Sequence, residues 1–146
     1  VGNKFSLLAK KFEQILDKEA AYLSQIQQKL LNEEKRFGQL LAYESEYLSK
    51  LDYFQTQNTY GQEVRNYYLF LEHIATIKRQ QSNTIQSLKD MRDKSQLKFN
   101  KAFHKNKSFK EYLRQIHAAE RLGRAHREQK LSDMQVNDWY NNLIND

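Results

Sequence analysis

His117 and Glu120 stand three residues apart, the spacing at which an imidazole and a carboxylate on one helix face can share a metal ion. A carboxylate-bridged two-metal centre needs such contributions from several helices, and this chain offers His117-x-x-Glu120 once. His73, His104 and His126 have no metal-ligand partner one helical turn away. The absence of cysteine removes thiolate catalysis, thiolate metal ligation and disulfides, and four isolated glycines make no phosphate-cradling loop. The residues therefore predict no catalytic, cofactor or metal site, and no small-molecule substrate. The histidines read as solvated.

What remains is the chemistry of recognition. In AYESEYLSKLDYF, the side chains Tyr43, Tyr47, Leu51 and Phe54 recur at helical spacing. Six of the nine tyrosines fall between Tyr43 and Tyr68. Tyrosine is apolar along its body and polar at its tip, so such a cluster suits either a wet core or an exposed docking patch. A second concentration is electrostatic. Residues 1–60 are neutral, whereas Arg92 to Lys130 holds twelve basic residues against four acidic ones. Lys94, Lys98, Lys101 and Lys105 could line one face toward phosphates, which keeps a nucleic-acid-binding coiled coil as an alternative. Aromatics are not interleaved there for stacking, and nucleic acid is the weaker reading. Arg121, Arg124 and Arg127 are suited to carboxylates of a second protein.

The elements that would position these groups are helices. The chain has no proline, is rich in helix formers, and is 39% hydrophobic, below the ~45–50% of ordinary globular domains. Long helices with a narrow apolar seam fit that deficit. No apolar run reaches the ~18 residues of a membrane span, and VGNKFSLLAKKF lacks the pattern of a signal peptide, so a cytoplasmic location is expected. A heptad seam runs Leu8, Phe12, Ile15, Glu19, Tyr22, Ile26, Leu30, Glu33, Phe37, Leu40, Glu44, Tyr47, Leu51, Phe54, with one extra four-residue step before Leu30 that predicts a stutter. A second series, from Val64 through Tyr67, Leu71, Ile74, Lys78, Gln81, Ile85, Leu88, Arg92, Ser95, Phe99, Ala102, Asn106, Phe109 and Leu113 to Ile116, needs no shift. It crosses the polar patch HKNKS, residues 104–108, in register, so helix is expected to continue there. QTQNTYGQ between the two series reads as a turn, with Thr59-x-x-Gln62 at capping-box spacing. The expectation is a single all-α domain over 1–146, a long antiparallel two-stranded coiled coil. Its helices cover about 4–55 and 63–143, the turn lies at about 56–62, and the second helix overhangs after 116.

With LLAYESEYLSKL on the first helix and NYYLFLEHIATIKRQQ opening the second, the chain resembles the FliJ family of the bacterial flagellar type III export apparatus. The most specific piece is Leu40 followed by Tyr43, Glu46 and Tyr47; the likeness in heptad layout and turn position covers nearly the whole chain. The resemblance implies a coiled coil similar to the central stalk of rotary ATP synthases. Such a stalk inserts into the hexameric export ATPase, promotes ring assembly, links the ring to the export gate protein FlhA, and handles export chaperones. It would place this protein peripherally at the inner membrane of the flagellar base. It also implies a gate-binding face on Leu40, Tyr43, Tyr47, Phe70, Ile74 and Ile77, flanked here by Arg36 and Gln81. The ring-binding residues would be Leu8, Lys10, Lys11 and Phe12, with Arg121, Arg124, Arg127 and Lys130. The equivalent stalk of virulence-type secretion systems has the same shape and is the nearest alternative.

Overall fold

A computed structural model describes residues 2–57 and 61–145. Helix α1 covers Asn3–Thr56 and helix α2 covers Gln62–Asn145, 54 and 84 residues respectively. The fold is all-α, an antiparallel hairpin with the longer helix second. Contacts divide it into two compact units: Asp17–Asn100, and Val1–Leu16 with Lys101–Asp146.

In the unit of residues 17–100 the helices run antiparallel, and the cross-helix contacts fix the register. Glu33 meets Gln81, Glu44 meets Lys78, and Phe54 meets Tyr67. Leu23, Ile26, Leu30, Leu51 and Ile74 are its buried apolar side chains. Charged residues in the seam are matched across it. Lys78 Nζ donates to both oxygens of Glu44 at 3.1 Å, and the Gln81 amide donates to the carboxylate and the backbone carbonyl of Glu33. In the other unit the pairing is again antiparallel, through Phe12 on Phe109 and Phe5 beside Tyr112. Ala102 is the one apolar side chain fully buried there among the described residues, and Asn106 is buried about one helical turn further on.

The seam of α2 follows the expected series: every position from Val64 to Ile116 is buried or half-buried. Helix also continues through residues 104–108, where Asn106 takes its seam position. The seam of α1 departs from expectation. Leu8, Ile15 and Tyr22 are exposed by 36%, 42% and 47%, while Ala9, Leu16 and Leu23 take the inward positions. The line therefore runs Phe5, Ala9, Phe12, Leu16, Glu19, Leu23, Ile26, Leu30 in unbroken threes and fours, and there is no stutter. A phase shift in one strand alone would rotate its seam away from a partner that keeps strict heptads, as α2 does. The greater bulk of Leu8 over Ala9 and of Tyr22 over Leu23 does not compensate for facing away, and Ile15 has no advantage in size over Leu16.

At the end of α1 the Tyr53 carbonyl accepts from both Gln57 N–H at 3.1 Å and Thr56 Oγ1 at 2.7 Å. Gly61, at φ 143°, precedes α2 and its carbonyl accepts from Arg65 N–H. Thr59 of the expected capping box lies outside the described residues; its partner Gln62 donates along α2 to Asn66. Two buried polar atoms, Ser95 Oγ and Asn106 Oδ1, have no hydrogen-bond partner.

These features set opposite expectations for two seam substitutions. Ile74→Ala, at a position 2% exposed, should cost about 2–4 kcal/mol in urea unfolding. Ser95→Ala, which removes an unpartnered buried hydroxyl, should stabilise by about 1 kcal/mol in the same measurement.

Candidate functional site

The tyrosine-rich face belongs to the unit of residues 17–100. Tyr47 and Tyr67 occupy seam positions, so their rings pack while their edges stay wet. Tyr47 stacks on Phe70 with centroids 4.1 Å apart, and Tyr67 lies 5.3 Å from both Tyr47 and Phe54. This aromatic layer gathers more apolar surface than two helices can cover. Phe70 remains 38% exposed, and Tyr43, one turn before Tyr47, is 56% exposed. Tyr68 is also exposed, and its hydroxyl accepts from Gln55 at 3.0 Å, tying α2 to α1. Lys50 sits 5.5 Å from the Tyr47 ring centroid and pairs with Glu46 at 3.3 Å. The hydrogen bond and charge of Glu46 hold its ammonium pKa above the ordinary lysine value.

Of the six residues expected on this face, the structure brings Tyr47 and Phe70 into direct contact. Tyr43 is freely exposed, whereas Leu40 and Ile77 are half-buried. Ile74 presents almost no surface and is core, so it is not available on the face. Arg36 and Gln81, the flanking positions, both engage Glu33. The ion pair Glu44–Lys78 was missed as an element of this site's support. Opposite charges at facing seam positions were the signal that could have revealed it.

The basic region of the other unit has different chemistry. Phe12 is half-buried against Phe109 at 5.1 Å, while Leu8, Lys10 and Lys11 face water. Alongside runs an open groove of about 690 Å³ with Phe12, Phe109 and Tyr112 as its apolar floor and Lys101, His104 and Lys105 on its rim. Further along α2, Arg121, Arg124, Arg127 and Lys130 are all exposed. A step of three residues turns the helix by about 300°, so these four cations spiral roughly half-way round α2 rather than sharing one stripe. Glu111, bound by Arg114 at 2.6 Å, has its carboxyl held below the usual range by that hydrogen bond.

Among the described residues no three His, Cys, Asp or Glu side chains gather to hold a metal ion. His117 Nδ1 lies 3.8 Å from Glu120 Oε2, an ion pair when the imidazole is protonated. No helix among the described residues is long and apolar enough to cross a membrane.

The distinctive surfaces of this all-α hairpin are thus an aromatic face and a basic, exposed helix. The family model described as Flagellar FliJ protein matches residues 3–135, nearly the whole chain, and the chain belongs to that family. It is thus a component of flagellar protein export, in the setting of type III secretion. No curated protein and no solved structure matches it.

Tyr43 and Tyr47 should separate in a stability measurement. Tyr47→Ala loses the stack on Phe70 and should lower stability by about 1–3 kcal/mol. Tyr43→Ala removes an exposed ring and should leave the thermal midpoint within about 0.5 kcal/mol equivalent of the parent.

Proposed function

We propose that this protein is a non-enzymatic coupling component of the flagellar export apparatus. It binds within the hexameric export ATPase, promotes ring assembly and activity, and connects the ring to the export gate FlhA and to export chaperones. It works on the cytoplasmic side of the inner membrane at the flagellar base. Family membership supports the setting. The observation that supports the two-face division is that the units concentrate different chemistry: a stacked aromatic layer with exposed Tyr43 beside it in 17–100, and the exposed cations Arg121, Arg124, Arg127 and Lys130 in the unit that contains 101–146.

The aromatic face would take the gate. Tyr43 supplies exposed surface, while Tyr47 and Phe70 hold a rigid ring stack beside it, with Leu40 and Ile77 at the base. Rigid aromatic bodies lose little conformational freedom on binding, which favours them as anchors. The basic helix would take the ring. Arg121, Arg124, Arg127 and Lys130 offer charge-assisted hydrogen bonds in several directions, and Leu8, Lys10, Lys11 and Phe12 extend the surface on α1. A helix contacted from several sides can bias the conformations of subunits around it through differential affinity. The match to a flagellar family favours this setting over the virulence-type equivalent.

The two faces can be tested together. Purified export ATPase should show a higher hydrolysis rate and more assembled ring when the intact protein is added. Truncation after Ile116, or the triple change Arg121→Ala, Arg124→Ala, Arg127→Ala, should abolish that response. Tyr43→Ala with Tyr47→Ala should weaken binding to FlhA while the ATPase still responds. Equal loss of both effects in the tyrosine variant would sink the two-face reading.

A further inference from the structure

The seam that packs α2 against α1 ends at Ile116; its continuation, at Glu120, Gly123, Arg127 and Lys130, is polar. A second line begins on the same helix. Tyr112, Gln115, Ala119, Leu122, His126, Gln129, Asp133, Val136, Tyr140 and Leu143 follow one another in strict alternation of threes and fours. Extended backward, the line passes through Ser108 and Lys105 and so enters the groove of Phe12, Phe109 and Tyr112. It lies about 100° round α2 from the first seam, one residue out of phase with it. Its apolar members Tyr112, Leu122, Val136, Tyr140 and Leu143 are all at least half exposed.

We infer that this second line is the interface of an antiparallel homodimer, in which the α2 segment of residues 105–143 pairs with the same segment of a second copy. A two-fold axis at the level of Arg124 sets Leu122 against His126, Gln115 against Asp133, Tyr112 against Val136 and Ser108 against Tyr140. The aromatic groove of each copy then receives Val136, Tyr140 and Leu143 of the other, and the arrangement closes on itself.

Charge argues for this occupant. Residues 101–114 carry Lys101, Lys105, Lys107, Lys110 and Arg114 against Glu111 alone, while residues 131–146 carry three Asp and no Lys or Arg. Antiparallel pairing places each acidic block beside the other copy's basic block, and a parallel pairing opposes like charges. The same lack of cations beyond Lys130 deprives the apolar face of the basic rim that anionic membrane surfaces attract. Arg121, Arg124 and Arg127 point away from the line and stay solvated in the dimer, but the second helix occupies one side of the segment proposed to enter the ring, so the dimer is a form of the free protein that ring binding would displace.

Sedimentation equilibrium of the full chain tests the association. The mass should double with rising concentration at low salt, and the dissociation constant should rise in 0.5 M salt. Tyr140→Asp with Leu143→Asp should weaken the dimer by about tenfold or more, while Arg124→Ala leaves it unchanged. The natural absence of cysteine allows a second, geometric measurement. Tyr112→Cys combined with Val136→Cys should form an interchain disulfide on oxidation, because within one chain the two lie about 36 Å apart along the helix. Tyr112→Cys alone should not. A monomer at every concentration, or covalent dimer from Tyr112→Cys alone, overturns the proposal; neither result bears on the ATPase response.

Discussion

Two helices facing each other can each bury one stripe, and that restriction governs everything else in this chain. The stripe must stay aligned with its partner over many turns, which is possible only if both strands keep the same period. α2 keeps it from Val64 to Ile116, and α1 keeps it from Phe5 to Phe54. The consequence is visible in which residues are sacrificed. Leu8 is larger than Ala9 and Tyr22 larger than Leu23, yet both are left outside, as is Ile15, because period outranks bulk. A three-layer protein could have recruited them into a second core. Here they become surface, and the surface acquires its apolar character from the same rule that builds the seam.

Because the seam is thin, its polar members weigh heavily. Glu44 with Lys78, and Glu33 with Gln81, replace apolar layers by paired ones. Such layers add little net stability against a hydrophobic alternative, but they penalise misalignment, since a slip by one turn would leave each carboxylate without its donor. Ser95 and Asn106 are polar seam positions without partners, and they mark where the packing is least favourable. The protein keeps alignment at some expense in stability, a reasonable balance for a molecule whose value lies in presenting residues at defined places along two helices.

Helix content, hairpin topology and the α2 seam were legible in the sequence, because composition without proline and strict heptads leave little else to form. The α1 seam was legible from Ile26 onward and misread before it. Both candidate lines share Phe12, Glu19 and Ile26, and hydrophobicity alone prefers Leu8 and Ile15 to Ala9 and Leu16. Only the demand for a common period across both strands decides between them. For the aromatic face, sequence spacing placed Tyr47 and Phe70 near each other but could not show that they stack, nor that Ile74 is closed off from the surface. The spiral of Arg121, Arg124, Arg127 and Lys130 follows from the helix itself. Their partners do not, because exposed cations are compatible with any acidic surface.

The cross-helix contacts differ greatly in how far apart their members lie along the chain. Gln55 and Tyr68 are 13 residues apart, whereas Phe12 and Phe109 are separated by most of the molecule. Closing a short loop costs less entropy than closing a long one, so pairing starts near the bend and proceeds by adding turns, much as a zip closes. Residues 3–16 of α1 are joined last, onto the unit with the thinnest core, and they are the first to let go. Protection along α1 follows burial, which is densest at Leu23, Ile26 and Leu30 and thinnest around Phe5.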